Sequence, residues 1–131
     1  MQKRQLKLSL LNETYGICAF ESDAPIPDWA VAASLCSITR TEKELTVVCS
    51  QKIIPAGVKH ESGWRCFRVD GSFDLNQMGV ISSLASPLAK AGVSIFVVSS
   101  YDTDYILVKE QNVEQAVAVL SGDGHSIATK S

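Results

Sequence analysis

Two short clusters hold the residue types that could grip a small charged molecule. The first runs from Asp70 and Gly71 through Asp74 to Asn76, Gln77, Met78, Gly79 and Val80; the second is Ser100, Tyr101, Asp102, Thr103 and Asp104. A helix starting in the first cluster offers unpaired backbone N–H groups and the positive end of its dipole, which suit a carboxylate. Gly79 would let a ligand approach the backbone closely. The second cluster offers hydroxyls and two carboxylates, which suit an ammonium or a cationic side chain. Together the clusters read as a place for a small molecule held at loops, and the residues do not say which one. Each residue also has a plainer role open to it. Turns favour Asp, so a turn role stays open for Asp70 and Asp104 and is the favoured one for Asp102, and Asp74 is assigned to capping. Gly71 and Gly79 also answer steric needs of a turn and of helix packing, and Tyr101 also suits cover of a sheet edge.

Other chemistry finds little support. His60 and His125 are too isolated in the chain for a metal centre, and no glycine-rich phosphate loop is present. Cys18, Cys36, Cys49 and Cys66 stand singly among apolar neighbours without a CxxC pair, so they read as reduced core residues. We therefore expect no catalytic centre, metal or cofactor.

Positioning the two clusters takes a strand, a helix and a hairpin. Residues 64–69 read as a central strand, since apolar side chains fall on both faces. Asp74, Gln77 and the pair Phe73 and Met78 carry the capping-box and staple signals of a helix start. Met78, Ile81, Leu84, Ala85 and Leu88 then recur at helical spacing, Gly92 ends the helix, and Pro87 inside it predicts a kink or a loosened turn. Residues 94–99 and 105–108 read as strands flanking the tight turn of the second cluster. A short helix from Asn112, with Gln115 at capping-box spacing, closes at Gly122, and residues 125–128 suffice for a last strand. The order β, α, β, β, α, β predicts a four-stranded antiparallel sheet with both helices on one face, an α+β fold.

The earlier residues read as strands 6–11 and 15–20, a proline-bearing loop leading to a short turn at Trp29, a hairpin of 35–39 and 45–49, one helical turn at 51–54 and an edge strand at 58–61. Trp29 is expected to plug the core. Glu61, Ser62 and Gly63 mark a break, giving lobes 1–62 and 63–131. The hairpin at 37–48 lines up with 99–108, so the first lobe reads as a degenerate copy of the second, with Thr39, Arg40 and Thr41 as the matching positions, more surface than site.

The totals agree with a compact fold. The chain has 131 residues, 46% hydrophobic and 20% charged, with a net charge of -2. Acids and bases are interspersed, so no basic stripe invites nucleic acid. No apolar run approaches a membrane span or a secretory leader, and the expected place is the cytoplasm.

With that topology, the second half resembles an ACT domain of the tandem kind. FRVDG (67–71), DLNQMGV (74–80), AGVSIF (91–96) and SSYDTDYILV (99–108) carry the resemblance. WA (29–30) and SITRTE (37–42) are similar to the companion lobe of that family. The resemblance implies two ferredoxin-like βαββαβ lobes and a non-catalytic regulatory or sensor module for an amino-acid effector, related to aspartokinase regulatory regions and cytosolic amino-acid sensors. It also implies binding at the two clusters, a homodimer, and a regulated enzyme or other protein as partner. The competing expectation is a protein-interaction module that keeps the fold without a ligand.

Overall fold

The computed structural model describes residues 5–32, 34–70 and 79–129. Contacts divide the chain into two compact units, Met1–Asn12 with Arg65–Ser131, and Glu13–Trp64. The division expected at 62–63 is therefore amended at the N-terminus, because the first strand belongs with the second half. The reason is its alternation. In β1 (Lys7–Leu10) and just before it, Leu6, Leu8 and Leu10 are buried in the core of the larger unit, and a strand of period two aims them all at one face.

In that unit β1 pairs antiparallel with β5 (His60–Val69), Leu8 facing Val69, and parallel with β8 (Ser126–Thr129), Leu8 facing Ile127. β5 also pairs with β7 (Asp104–Lys109), which pairs antiparallel with β6 (Ile95–Ser99). The fold is α+β and ferredoxin-like as expected, but its sheet is mixed. β1 enters between β5 and β8, and a strand antiparallel to one of them is parallel to the other.

Helices α1 (Val80–Lys90) and α2 (Val113–Gly122) bury Val80, Leu84 and Leu88, and Ala116 and Leu120, in one cluster with Phe67, Val69, Ile106 and Val108. α1 starts at Val80 with Gly79 as its N-cap residue, later than the expected start at Asp74. Phe73, Asp74, Gln77 and Met78, whose capping roles were expected, lie outside the described residues. Gly92, at φ 78°, ends α1 as expected, with Val93 N–H donating to Leu88 O at 2.9 Å. Asn112 is the N-cap residue of α2 without a side-chain capping bond. Gln115 does not reach back to it; its Nε2 donates to Ala91 O at 3.0 Å, satisfying a carbonyl just beyond α1.

In the smaller unit β2 (Tyr15–Phe20) pairs antiparallel with β4 (Leu45–Ser50), which pairs with β3 (Ser37–Arg40). Two 3-10 turns, Asp28–Ala32 and Gln51–Ile53, stand where helices would complete the repeat. Trp29 packs beside Phe20 on the core of Cys18, Ala30, Leu45, Val47 and Cys49. The expected break at residues 61–63 is a bulge inside β5. Tyr15 faces Trp64 while Ile17 faces Glu61, and Gly63, at φ 82°, turns its N–H to Gln51 Oε1 at 2.8 Å. Glycine supplies the left-handed residue without ending the strand.

All four cysteines are free thiols; Cys18, Cys49 and Cys66 are buried and Cys36 is half-buried. Burial pushes Cys49, with Cys18 and Cys36 nearby, and Cys66 from 9.0 up to about 12. Two results follow from this. Native protein at pH 8 takes up iodoacetamide first at Cys36, and denatured protein takes up four equivalents, read by mass; fast native labelling of Cys66 would contradict its burial. The folded thiols hold their protons above the unfolded value, so their contribution to stability is full below pH 9 and is lost as pH rises towards 12.

Candidate functional site

The end of β5, the start of α1 and the β6–β7 turn position the sequence-predicted site residues. Asp70 follows β5 directly. Its N–H donates to Lys7 O at 2.8 Å, Arg68 Nε donates to its Oδ1 at 3.1 Å, and Ser9 Oγ donates to its Oδ2 at 2.7 Å. Ser9 is 2% exposed, so its hydroxyl requires a partner, and the carboxylate supplies one. Both oxygens of Asp70 are thus engaged on β1 and β5. Sequence reasoning passed over Arg68 and Ser9. Their signal is the two-residue spacing that puts Arg68 and Asp70 on one side of a strand.

Gly79 sits at the other described end of the strand-to-helix connection, at φ 83°. Ser83 donates twice to its carbonyl, from N–H at 3.0 Å and from Oγ at 2.6 Å. The first N–H groups of a helix have no acceptor within it, and those of α1 follow Gly79 directly, which is the feature that suits an anion. Val80 contributes packing, since its side chain is buried in the core. Gly71, Asn76, Gln77 and Met78 lie outside the described residues.

The turn between β6 and β7 is closed by its own hydroxyls. Ser100 N–H and Oγ donate to Thr103 O at 2.8 and 3.0 Å, and Thr103 N–H donates to Ser100 Oγ at 3.3 Å. Thr103 Oγ1 donates to Val69 O at 2.6 Å, tying the turn to the residue before Asp70. The structure therefore brings Asp70 and the turn together. Ser100 and Thr103 spend their hydroxyls on the turn, Tyr101 is 81% exposed, and Asp102 is exposed. Asp104 opens β7 opposite Ser99 and is half-buried, and its carboxylate has no hydrogen-bond or ionic partner among the described residues.

The smaller unit has the same turn. Thr41 N–H donates to Glu44 O at 2.8 Å, and Thr41 Oγ1 accepts from Glu44 N–H at 3.2 Å. Arg40 faces Leu45 there as Ser99 faces Asp104. Leu45, buried in the core, thus stands where Asp104 would be, and the unpaired acid has no counterpart. Thr39, Arg40 and Thr41 are exposed; Arg40 donates to Ser22 O and, at 2.8 Å, to Ala24 O, pinning a loop. Among the described residues, no group of three or more His, Cys, Asp or Glu could hold a metal, and no helix is long and apolar enough to cross a membrane.

Residues 59–122 match the family model of the ACT domain, and residues 13–57 match a model described as an N-terminal domain. The Homo sapiens protein named cytosolic arginine sensor for mTORC1 subunit 1 is 28% identical over 67 residues, 50% of this chain and 20% of that protein. The chain therefore spans about a fifth of that relative's length. The crystal structure of protein Atu0741 from Agrobacterium tumefaciens superposes with TM-score 0.92 at 38% identity, covering 98% of this chain and 96% of that one. The regulatory subunit of aspartate kinase from Thermus thermophilus, in its ligand-free form, superposes with TM-score 0.61 at 11% identity, covering 87% and 93%, a likeness of fold.

Proposed function

We propose that this chain, whose residues 59–122 match the ACT-domain family model, is a non-catalytic regulatory module that binds a free amino acid between the start of α1 and the β6–β7 turn. The observation that carries this reading is the half-buried carboxylate of Asp104, which has no partner among the described residues. The turn around it is already satisfied by Ser100 and Thr103, so this acid is left over for a cation. A carboxylate partly withdrawn from water gains from a charged donor more than an exposed one does. Asp102, at the tip, widens the negative surface, and the open N–H groups of α1 take the ligand's carboxylate. Gly71, Asn76, Gln77, Met78 and Tyr101 complete the proposed contacts.

Amino acids with a cationic side chain head the candidates, in keeping with the name of the human relative. A cytoplasmic setting and a regulated partner enzyme follow from the same proposal. At about 100 times its dissociation constant a ligand adds roughly 2.7 kcal/mol, several degrees of melting shift for a chain this size. Each of the twenty amino acids at millimolar concentration tests this, and a flat melt for all of them removes the amino-acid reading.

The rival, a module acting through protein contacts alone, is favoured by β6. Among the described residues this strand pairs with β7 only, and it exposes Val97. Such an edge calls for cover, and a second copy of the chain is the proposed cover. Sedimentation at micromolar concentration should find a dimer; a monomer at every concentration rejects it.

A further inference from the structure

Pro87 lies inside α1 and has no N–H, so the carbonyl four residues earlier, Ser83 O, lacks its helical donor. His125 Nε2 lies 3.1 Å from that oxygen. A carbonyl only accepts, so Nε2 carries the ring proton. Nδ1 is then the acceptor, and the Leu6 N–H donates to it at 3.0 Å. The ring is 3% exposed, and both nitrogens are satisfied. Asp123 Oδ2, 3.9 Å from Nε2, is beyond hydrogen-bond reach of the ring.

These contacts extend in both directions. On the strand side, Leu6 leads into Lys7, whose carbonyl accepts the Asp70 N–H at 2.8 Å. On the helix side, Ser83 N–H and Oγ both donate to Gly79 O. One imidazole thereby links Gly79 and Asp70, the two described ends of the strand-to-helix connection.

We infer that His125 is a positioning residue of the effector site, setting the placement of Gly79 against Asp70, and that Pro87 creates the vacancy it fills. The link between Pro87 and His125 stands on the geometry alone; its consequence for binding rests on the effector reading proposed above. An unbroken helix would have closed Ser83 O internally and left it in no need of an outside donor. The proline opens one rung of the ladder, and the histidine takes it up from outside.

The experiment is a cycle of wild type, His125→Phe, Pro87→Ala and the double variant. Phe keeps a planar ring and removes both nitrogens, leaving two buried groups unpaired, so the melting midpoint should fall by about 10 °C. In the Pro87→Ala background the same change should cost about half as much, because the residue 87 N–H can now donate to Ser83 O and only Leu6 N–H is orphaned. Equal losses in both backgrounds overturn the coupling. If His125→Phe does not fold, long-range ¹H–¹⁵N correlation on the wild type decides: a protonated Nε2 and bare Nδ1 support the assignment, and a protonated Nδ1 overturns it.

Positioning is read by amide exchange in His125→Phe. Exchange at Leu6, Ser83 and Leu84 should rise about tenfold more than in β4 of the smaller unit. A uniform rise means the ring is merely structural and rejects the positioning role. Titration of L-arginine, or of whichever amino acid moves the wild-type melt most, should show about tenfold weaker binding by His125→Phe at a temperature where it is folded. Unchanged affinity also rejects the role. If none of the twenty binds wild type, the effector reading fails by itself, while the melting cycle and the exchange pattern still decide His125.

Discussion

Asp104→Asn should weaken binding of the screened amino acid at least tenfold while leaving the melt nearly where it was. A hydrogen bond to a charged group is worth about 1.5–3 kcal/mol, and every 1.4 kcal/mol is a factor of ten in affinity. The folded state, by contrast, has nothing invested in the charge. Asp104 is held by the β6–β7 ladder through its backbone, and its carboxylate has no partner among the described residues. A substitution of this kind away from core and caps shifts stability by no more than about 0.5 kcal/mol. Asp70→Asn is the natural contrast, because that carboxylate accepts from Arg68 and from buried Ser9. It should lower stability by about 1–2 kcal/mol, since both members of the ion pair are about a third exposed and partly screened by water. Calorimetric titration and urea melts of both variants separate the roles. Unchanged affinity in Asp104→Asn makes that acid a turn residue only, and an unfolded variant makes it structural.

Phe67→Ala should cost about 3–5 kcal/mol, a large part of the roughly 5–15 kcal/mol that holds a domain of this size. Phe67 is fully buried on β5, in the cluster where Leu10 of β1, Leu84 and Leu88 of α1, Ile106 of β7 and Leu120 of α2 meet. A ring removed there leaves a void lined by side chains whose backbones are already committed to the sheet and helices, so collapse recovers little. The urea midpoint should fall while the slope stays constant. A loss below about 1 kcal/mol would mean that the helices repack freely over the sheet, and α1 would then be too loosely held to present a site.

The comparison of the two hairpin turns sharpens the site. Aligning letters pairs SITRTE with SSYDTD, an offset that matches Ser37 with Ser99. Strand register instead matches Arg40 and Leu45 with Ser99 and Asp104. The shared feature is a hydroxyl residue, Thr41 or Ser100, whose side chain accepts from the N–H three residues on. That is turn chemistry and carries no ligand information. What differs is the residue that opens the return strand: buried Leu45 in one unit and, in the other, Asp104, without a side-chain partner among the described residues.

Local chemistry alone determined much of this protein. The weak alternation of 6–11, the four-residue spacing of Leu84 and Leu88, the stop at Gly92, the short turn at Trp29 and the polar turn at 100–103 each report a face or a boundary. Side-chain periodicity and glycine or hydroxyl turn preferences act over a few residues and need no partner to be read. Tertiary structure decided what depends on partners far along the chain. Leu6, Leu8 and Leu10 announce a buried strand face without saying that β1 lies between β5 and β8. Gly63 announces a left-handed residue, and only its register against β2 makes it a bulge and not a break. Pro87 announces a missing donor; that His125 supplies it depends on folding the chain over 42 residues. Asp70 and Asp104 are the same residue type, one just after β5 and the other opening β7. One is consumed by Arg68 and Ser9 and the other has no partner among the described residues, because a carboxylate's availability depends on which groups the fold sets beside it.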